Sequence, residues 1–223
     1  MTRIKICGLT EPAGRDAALA AGADWLGLVF FPRSPRAVTP AAAAALAAGI
    51  PAAWVGLFVA PTDDAVAAAL AAVPLAALQI YADAPRCAAL RARFGRPVWR
   101  AVGVRAPADL PRAAEGLDGL VIEAPPPAGA DRPGGNAAAF DWRMLAGWRA
   151  PLPWLLAGGL TPANVTAALA ATGAPGVDVS SGVESTPGRK DPARIAAFVA
   201  AARATPPGGA AEQGGLMRPG KPC

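Results

Sequence analysis

The chain has 223 residues, 53% of them hydrophobic, with a net charge of +5 and no histidine. That length suits one large domain, and the missing histidine excludes Ser-His-Asp and Cys-His catalysis and histidine-bound metal. The positive balance suits a small anionic substrate better than nucleic acid, because Lys and Arg form no dense run and aromatic residues are few.

Ile4 and Ile6 alternate with Lys5 and Cys7 at strand period, and the strand stops at Gly8. Thr10 and Pro12 open a helix over 12–21, closed by Gly22. A second strand covers 24–30, followed by a loop over 31–38 that holds Ser34, Pro35 and Arg36. Thr39 caps the next helix, which carries Pro40 at its first position and ends at Gly49. The third strand is 52–59, and Thr62 caps the third helix. The fourth strand is 76–81, and Asp83-Ala84-Pro85 opens a helix closed by Gly95. The fifth strand is 97–104, with a short helix over 108–115, and the sixth is 119–122. A Pro/Gly-rich loop over 123–139 leads to Asp141, expected to cap the sixth helix. The seventh strand is 153–157 with a helix from Thr161-Pro162; the eighth is 177–180 with a helix from Asp191-Pro192 to about Ala202.

Eight short apolar strands, each followed by a helical pattern, predict the α/β class, and the count of eight predicts a (β/α)8 TIM barrel. The expected layout is one barrel domain over 1–203 and a disordered Pro/Gly-rich tail over 204–223. The stretches 37–62 and 65–82 carry no charge and are long enough to span a membrane. Pro40, Pro51, Pro61 and Pro74 interrupt them, and alanine is only weakly apolar, so no membrane association is expected. Glu11, Arg15 and Asp16 break any signal-peptide core, which points to the cytoplasm. Cys7, Cys87 and Cys223 are far apart and form no C-x-x-C pair, so neither a zinc site nor a disulfide framework is expected.

Catalytic groups of a parallel barrel sit at the C-terminal ends of its strands. Cys7 ends the first strand, and Lys5 on the same face is expected to lower its thiol pKa. A plain buried cysteine is the competing reading. Glu123 follows the sixth strand and suits a general acid if its site raises its pKa; Asp131 in the next loop is a weaker candidate. Ala157-Gly158-Gly159 after the seventh strand and Ser180-Ser181-Gly182-Val183-Glu184 after the eighth form a candidate phosphate site, since glycines let backbone N–H groups approach an anion. Arg36 suits a carboxylate, though an exposed arginine would read the same way.

Taken in order, Lys5-Ile6-Cys7-Gly8-Leu9-Thr10, Ser34-Pro35-Arg36, Gly134-Gly135-Asn136, Phe140-Asp141-Trp142, Leu156-Ala157-Gly158-Gly159-Leu160, Asn164-Val165 and 177–184 form a specific series. Through them the chain resembles the phosphoribosylanthranilate isomerase family from Ile4 to about Ala202. The resemblance implies a cofactor-independent Amadori rearrangement of N-(5-phosphoribosyl)anthranilate in tryptophan biosynthesis, by a monomer or homodimer. It implies Cys7 as the base and Glu123 in the place of the acid. Lys5, Arg36, Gln79 and Asp178 fall on substrate-binding positions, and Gly158, Gly159, Ser181 and Gly182 on the phosphate loops. Three departures from the family pattern stand out. Glu123 stands where the family has aspartate, Tyr81-Ala82 where it has His-Gly, and Ala137 where it has glycine. Those departures leave a second reading, a barrel that binds a phosphorylated ligand or a partner without turnover. A third, the related Amadori isomerase of the histidine pathway, uses two aspartates and fits a strand-one cysteine poorly.

Overall fold

A computed structural model describes residues 1–125, 129 and 141–205. Eight parallel strands close into a barrel in sequence order. They are β1 (Arg3–Ile6), β2 (Trp25–Val29), β3 (Trp54–Val59), β4 (Leu75–Tyr81), β5 (Val98–Gly103), β6 (Gly119–Glu123), β7 (Trp154–Leu156) and β8 (Gly176–Val179). The barrel shuts where β8 pairs with β1, Lys5 opposite Asp178. Helices α1 (Pro12–Ala20), α2 (Pro40–Ala47), α3 (Asp63–Ala72), α4 (Ala84–Phe94), α5 (Val165–Thr172) and α6 (Pro192–Ala204) lie outside.

The caps explain most helix starts. Thr39, Thr62, Asp83 and Asp191 each accept a backbone N–H from the first turn of α2, α3, α4 and α6, each worth about 1 kcal/mol. Thr10 caps nothing; its hydroxyl donates to the Gly188 carbonyl at 2.8 Å. Two expected helices are absent among the described residues. After β5 only a 3-10 turn forms, Pro107–Asp109, because the Asp109 carboxylate takes the Arg105 and Ala106 N–H groups and Pro111 has none to give. After Asp141 the chain makes another 3-10 turn, Trp142–Leu145. A feature absent from the sequence reading is the hairpin β9 (Glu184–Thr186) with β10 (Arg189–Lys190), between β8 and α6. Helix α6 extends through Ala204, and Thr205 is buried. The remainder of the tail, 206–223, lies outside the described residues, as do Asp131, Gly134, Gly135, Asn136 and Ala137.

Alternation along each strand separates two cores. Outward residues such as Ile4, Ile6, Leu26, Leu28, Leu78 and Ile80 pack under the helices. Inward residues Trp25, Val55, Ala77, Trp99, Val121 and Leu155 fill the lower barrel, with Trp25 set edge-on to Trp99 at 5.1 Å. The N-terminal rim is tied by Asp24, which accepts from Arg3 at 2.6 Å, Arg203 at 2.8 Å and the Ile4 N–H at 2.8 Å. No helix among the described residues is long and apolar enough to cross a membrane.

Candidate active site

Above the apolar plug the same inward positions turn polar. Lys5 lies one inward step before Cys7 on β1, and Gln79 one inward step above Ala77 on β4. Glu123 stands above Val121 on β6, and Asp178 on β8 faces Lys5. Cys7, one residue past β1, is held by its own backbone. Its N–H donates to Val179 at 2.8 Å, and its carbonyl accepts the Ser180 hydroxyl at 3.0 Å. Room for the thiol comes from β2, because a Cβ on Gly27 would lie 2.8 Å from Cys7 Sγ.

Lys5 is fully buried and donates to Asp178 Oδ1 at 3.0 Å. Burial pushes its ammonium down, but Asp178 and Cys7 beside it outweigh that and hold it above its ordinary value. For Cys7, burial is the largest influence and raises the thiol, with Lys5 offsetting only part of it. The expectation of a lowered thiol pKa is therefore corrected: the lysine acts in the expected direction, and desolvation prevails. Glu123 is buried, its Oε1 has no hydrogen-bond partner, and burial pushes its carboxyl up to about 8. Tyr81 opposes that rise, Asp178 adds to it, and Lys5 opposes it more weakly. Gln79 is fully buried with neither amide atom partnered. In a folded protein such groups are rare and mark places where something else completes the bonding.

The opposite wall is saturated. Arg36 is buried and grips Glu184 through two bonds, Nε to Oε1 at 2.6 Å and a terminal nitrogen to Oε2 at 2.7 Å. Lys190 Nζ reaches the same Oε1 at 2.8 Å and the Ser180 carbonyl and hydroxyl at 3.0 and 3.2 Å. Burial raises the Glu184 carboxyl, but Arg36 and Lys190 outweigh it and leave it below its ordinary value. The network places Arg36 at the rim beside Gly8, where a Cβ would stand 2.5 Å from its Cδ.

The glycine loops meet as the sequence pattern predicts. Gly158 and Gly159 both take positive φ, +82° and +63°, and Asn164 clamps their turn by bonding the Gly159 carbonyl at 2.9 Å and the Thr161 N–H at 2.8 Å. Ser181–Val183 form a 3-10 turn, and a Cβ on Gly182 would fall 1.8 Å from the Leu160 carbonyl oxygen. Any side chain at 182 would drive the two loops apart. Sequence reasoning placed Glu184 only in a loop motif and did not single out Lys190. The Pro187-Gly188 turn signal between two short extended runs would have revealed the hairpin that carries them. Among the described residues no group of His, Cys, Asp and Glu side chains could hold a metal ion.

A family model described as N-(5′-phosphoribosyl)anthranilate isomerase matches residues 4–201. The protein of that name from Acidiphilium cryptum is 62% identical over 204 residues, covering 92% of this chain and 100% of its own. The crystal structure of TrpF from Jonesia denitrificans is similar at a TM-score of 0.77 and 41% identity, covering 91% of this chain and 97% of its own. A phosphoribosyl anthranilate isomerase crystallised with reduced 1-(o-carboxyphenylamino)-1-deoxyribulose 5-phosphate gives a TM-score of 0.78 at 30% identity, covering 92% of this chain and 100% of its own.

Proposed function

The chain belongs to the N-(5′-phosphoribosyl)anthranilate isomerase family, and from that premise we propose that Cys7 and Glu123 are the base and acid of its reaction. The protein is an isomerase of tryptophan biosynthesis that converts phosphoribosylanthranilate to the carboxyphenylamino-deoxyribulose phosphate. Nothing in the site or among these relatives favours a barrel without turnover.

The observation that carries the assignment is Glu123, a buried carboxyl that keeps its proton up to about pH 8 and has an oxygen with no protein partner. Protonated, it can give that proton to the ribose ring oxygen. The C1′–O bond then breaks and the anthranilate nitrogen forms a Schiff base with C1′. Cys7, as thiolate, removes the proton on C2′, and the electrons pass to the nitrogen to give an enolamine. Reprotonation at C1′ and loss of the hydroxyl proton at C2′ yield the ketone. Lys5 stands beside Sγ and compensates the thiolate while it exists. The changes at C1′ and C2′ balance within one molecule, so the chemistry calls for no cofactor.

Substrate binding follows the two walls. The loops at Gly158-Gly159 and Ser181-Gly182 take the phosphate through backbone N–H groups. Arg36, oriented by Glu184, faces the anthranilate carboxylate, and Gln79 and Asp178 bond the sugar hydroxyls. We place the protein in the cytoplasm as a monomer or homodimer, which cell fractionation and sedimentation would check. The test of the chemistry is Cys7→Ala. Turnover should fall at least about 1,000-fold, while affinity for the reduced product analogue and the melting temperature stay near wild type. Retained turnover would remove Cys7 from the mechanism.

A further inference from the structure

We propose, on the reading that the Gly158-Gly159 and Ser181-Gly182 loops take the phosphate, that Lys190 is a positioning residue for that site: its ammonium holds the Ser180 carbonyl and thereby aims and strengthens the Ser181 N–H of the same peptide. The hairpin brings the lysine there. Gly188 turns the chain with φ at +86°, and the return strand β10 sets Lys190 opposite Glu184 on β9. The Asp191 N–H donates to the Val183 carbonyl at 2.9 Å, which ties that strand to the end of the 3-10 turn Ser181–Val183. The Lys190 stem lies against α1 at Gly14, where a Cβ would stand 2.9 Å from Lys190 Cβ and 3.0 Å from its Cγ. The side chain is buried along its whole length.

An ammonium carries three N–H donors. Those of Lys190 meet three acceptors: Glu184 Oε1 at 2.8 Å, the Ser180 carbonyl at 3.0 Å and the Ser180 hydroxyl oxygen at 3.2 Å. The group is saturated, so it is not itself a phosphate ligand and acts through what it holds. Glu184 already takes two bonds from Arg36, so charge balance does not call for a second cation here. The Ser180 carbonyl and the Ser181 N–H are the two ends of one planar peptide. A cation on the oxygen polarises that peptide and makes its N–H a stronger donor to an anion. Fixing the oxygen also fixes the direction of the N–H, which sits at the first residue of the 3-10 turn and has no partner within it. The Ser180 hydroxyl accepts from Lys190 and donates to the Cys7 carbonyl at 3.0 Å, so the phosphate loop and the backbone of Cys7 share one anchor.

The experiment titrates wild type, Lys190→Met and Gly14→Ala with the reduced product analogue and with the same compound lacking its phosphate. Wild type should bind the phosphorylated compound far more tightly. Equal affinity for the two would overturn the phosphate-loop reading and this inference with it. Lys190→Met removes the ammonium and leaves Glu184 paired with Arg36. Its affinity for the phosphorylated compound should fall about 10- to 100-fold, the scale of one charge-assisted hydrogen bond, with the other compound held within about two-fold. In turnover the loss should appear in KM, with kcat within about two-fold of wild type. Gly14→Ala disturbs the same ammonium from outside the site: alanine favours the helix, while its Cβ displaces the Lys190 stem. It should weaken the phosphorylated compound alone, by at least about two-fold. In Lys190→Met, an equal loss for both compounds, or none, would overturn the inference and leave the phosphate-loop reading standing. If Lys190→Met does not fold, the same result in Gly14→Ala overturns it, and a phosphate-selective loss there supports it.

Discussion

The two walls of the barrel mouth are built on opposite principles. On the side of β1, β8 and the hairpin, every buried charge has a partner: Lys5 with Asp178, and Arg36 and Lys190 with Glu184. On the side of β4 and β6, buried polar atoms are left without one: both ends of the Gln79 amide and Oε1 of Glu123. Saturated groups hold geometry, and unsaturated ones wait for a substrate to complete them. Stability should therefore be lost by cutting the first wall, and activity by cutting the second.

Glu184→Ala is the sharpest test of the saturated wall. It leaves the Arg36 and Lys190 cations buried without their shared anion, and loss of one partner from a buried pair costs about 3–5 kcal/mol. Thermal or urea unfolding should show that loss, and a change below about 1 kcal/mol would mean the network is not structural.

That wall was the least legible part of the sequence. The strands were readable because a strand covered on both faces appears as a short apolar run, and β4 and β6 lie within a residue of where the pattern puts them. Cys7, Glu123 and the glycine loops were readable because each directly ends a strand. The network joins the loop at Arg36 to the stretch 180–190 across 148 residues, and within the chain only the Pro187-Gly188 turn hints at the hairpin that carries Glu184 and Lys190. The helices expected over 108–115 and after Asp141 failed for a local reason. Asp109 and Asp141 turn their carboxylates onto nearby backbone N–H groups and stabilise 3-10 turns instead.

On the unsaturated wall, Glu123→Gln should stabilise the protein at alkaline pH. The folded carboxyl ionises at about 8, against about 4.3 when unfolded. The folded state thus binds more protons between those values, and the stability of burying the neutral acid is full below the lower one and lost as pH rises through the higher. Above about pH 8 the variant should exceed wild type by a few kcal/mol, and near pH 4 the two should match. A constant difference across the range would contradict the raised carboxyl.

The smallest of the three effects is in the pH profile. With Glu123 as the proposed acid and Cys7 as the proposed base, the competent form would carry a proton on Glu123 and none on Cys7. Glu123 ionises at about 8 and Cys7 is raised above its ordinary value, so this form is the minority of the two singly protonated states. The kcat/KM profile should rise with a limb near pH 8 and fall only at higher pH. A plateau already reached by about pH 6 would place the Cys7 ionisation below that of Glu123.

The account turns on Glu123 as the proton donor. Its most direct test is steady-state turnover of freshly generated phosphoribosylanthranilate, followed by loss of fluorescence, for wild type and Glu123→Gln side by side. A competent wild type with kcat reduced about 100- to 10,000-fold in the variant, and KM nearly unchanged, is the predicted result. A variant that keeps kcat within a few-fold of wild type would contradict the account and move the acid to another residue.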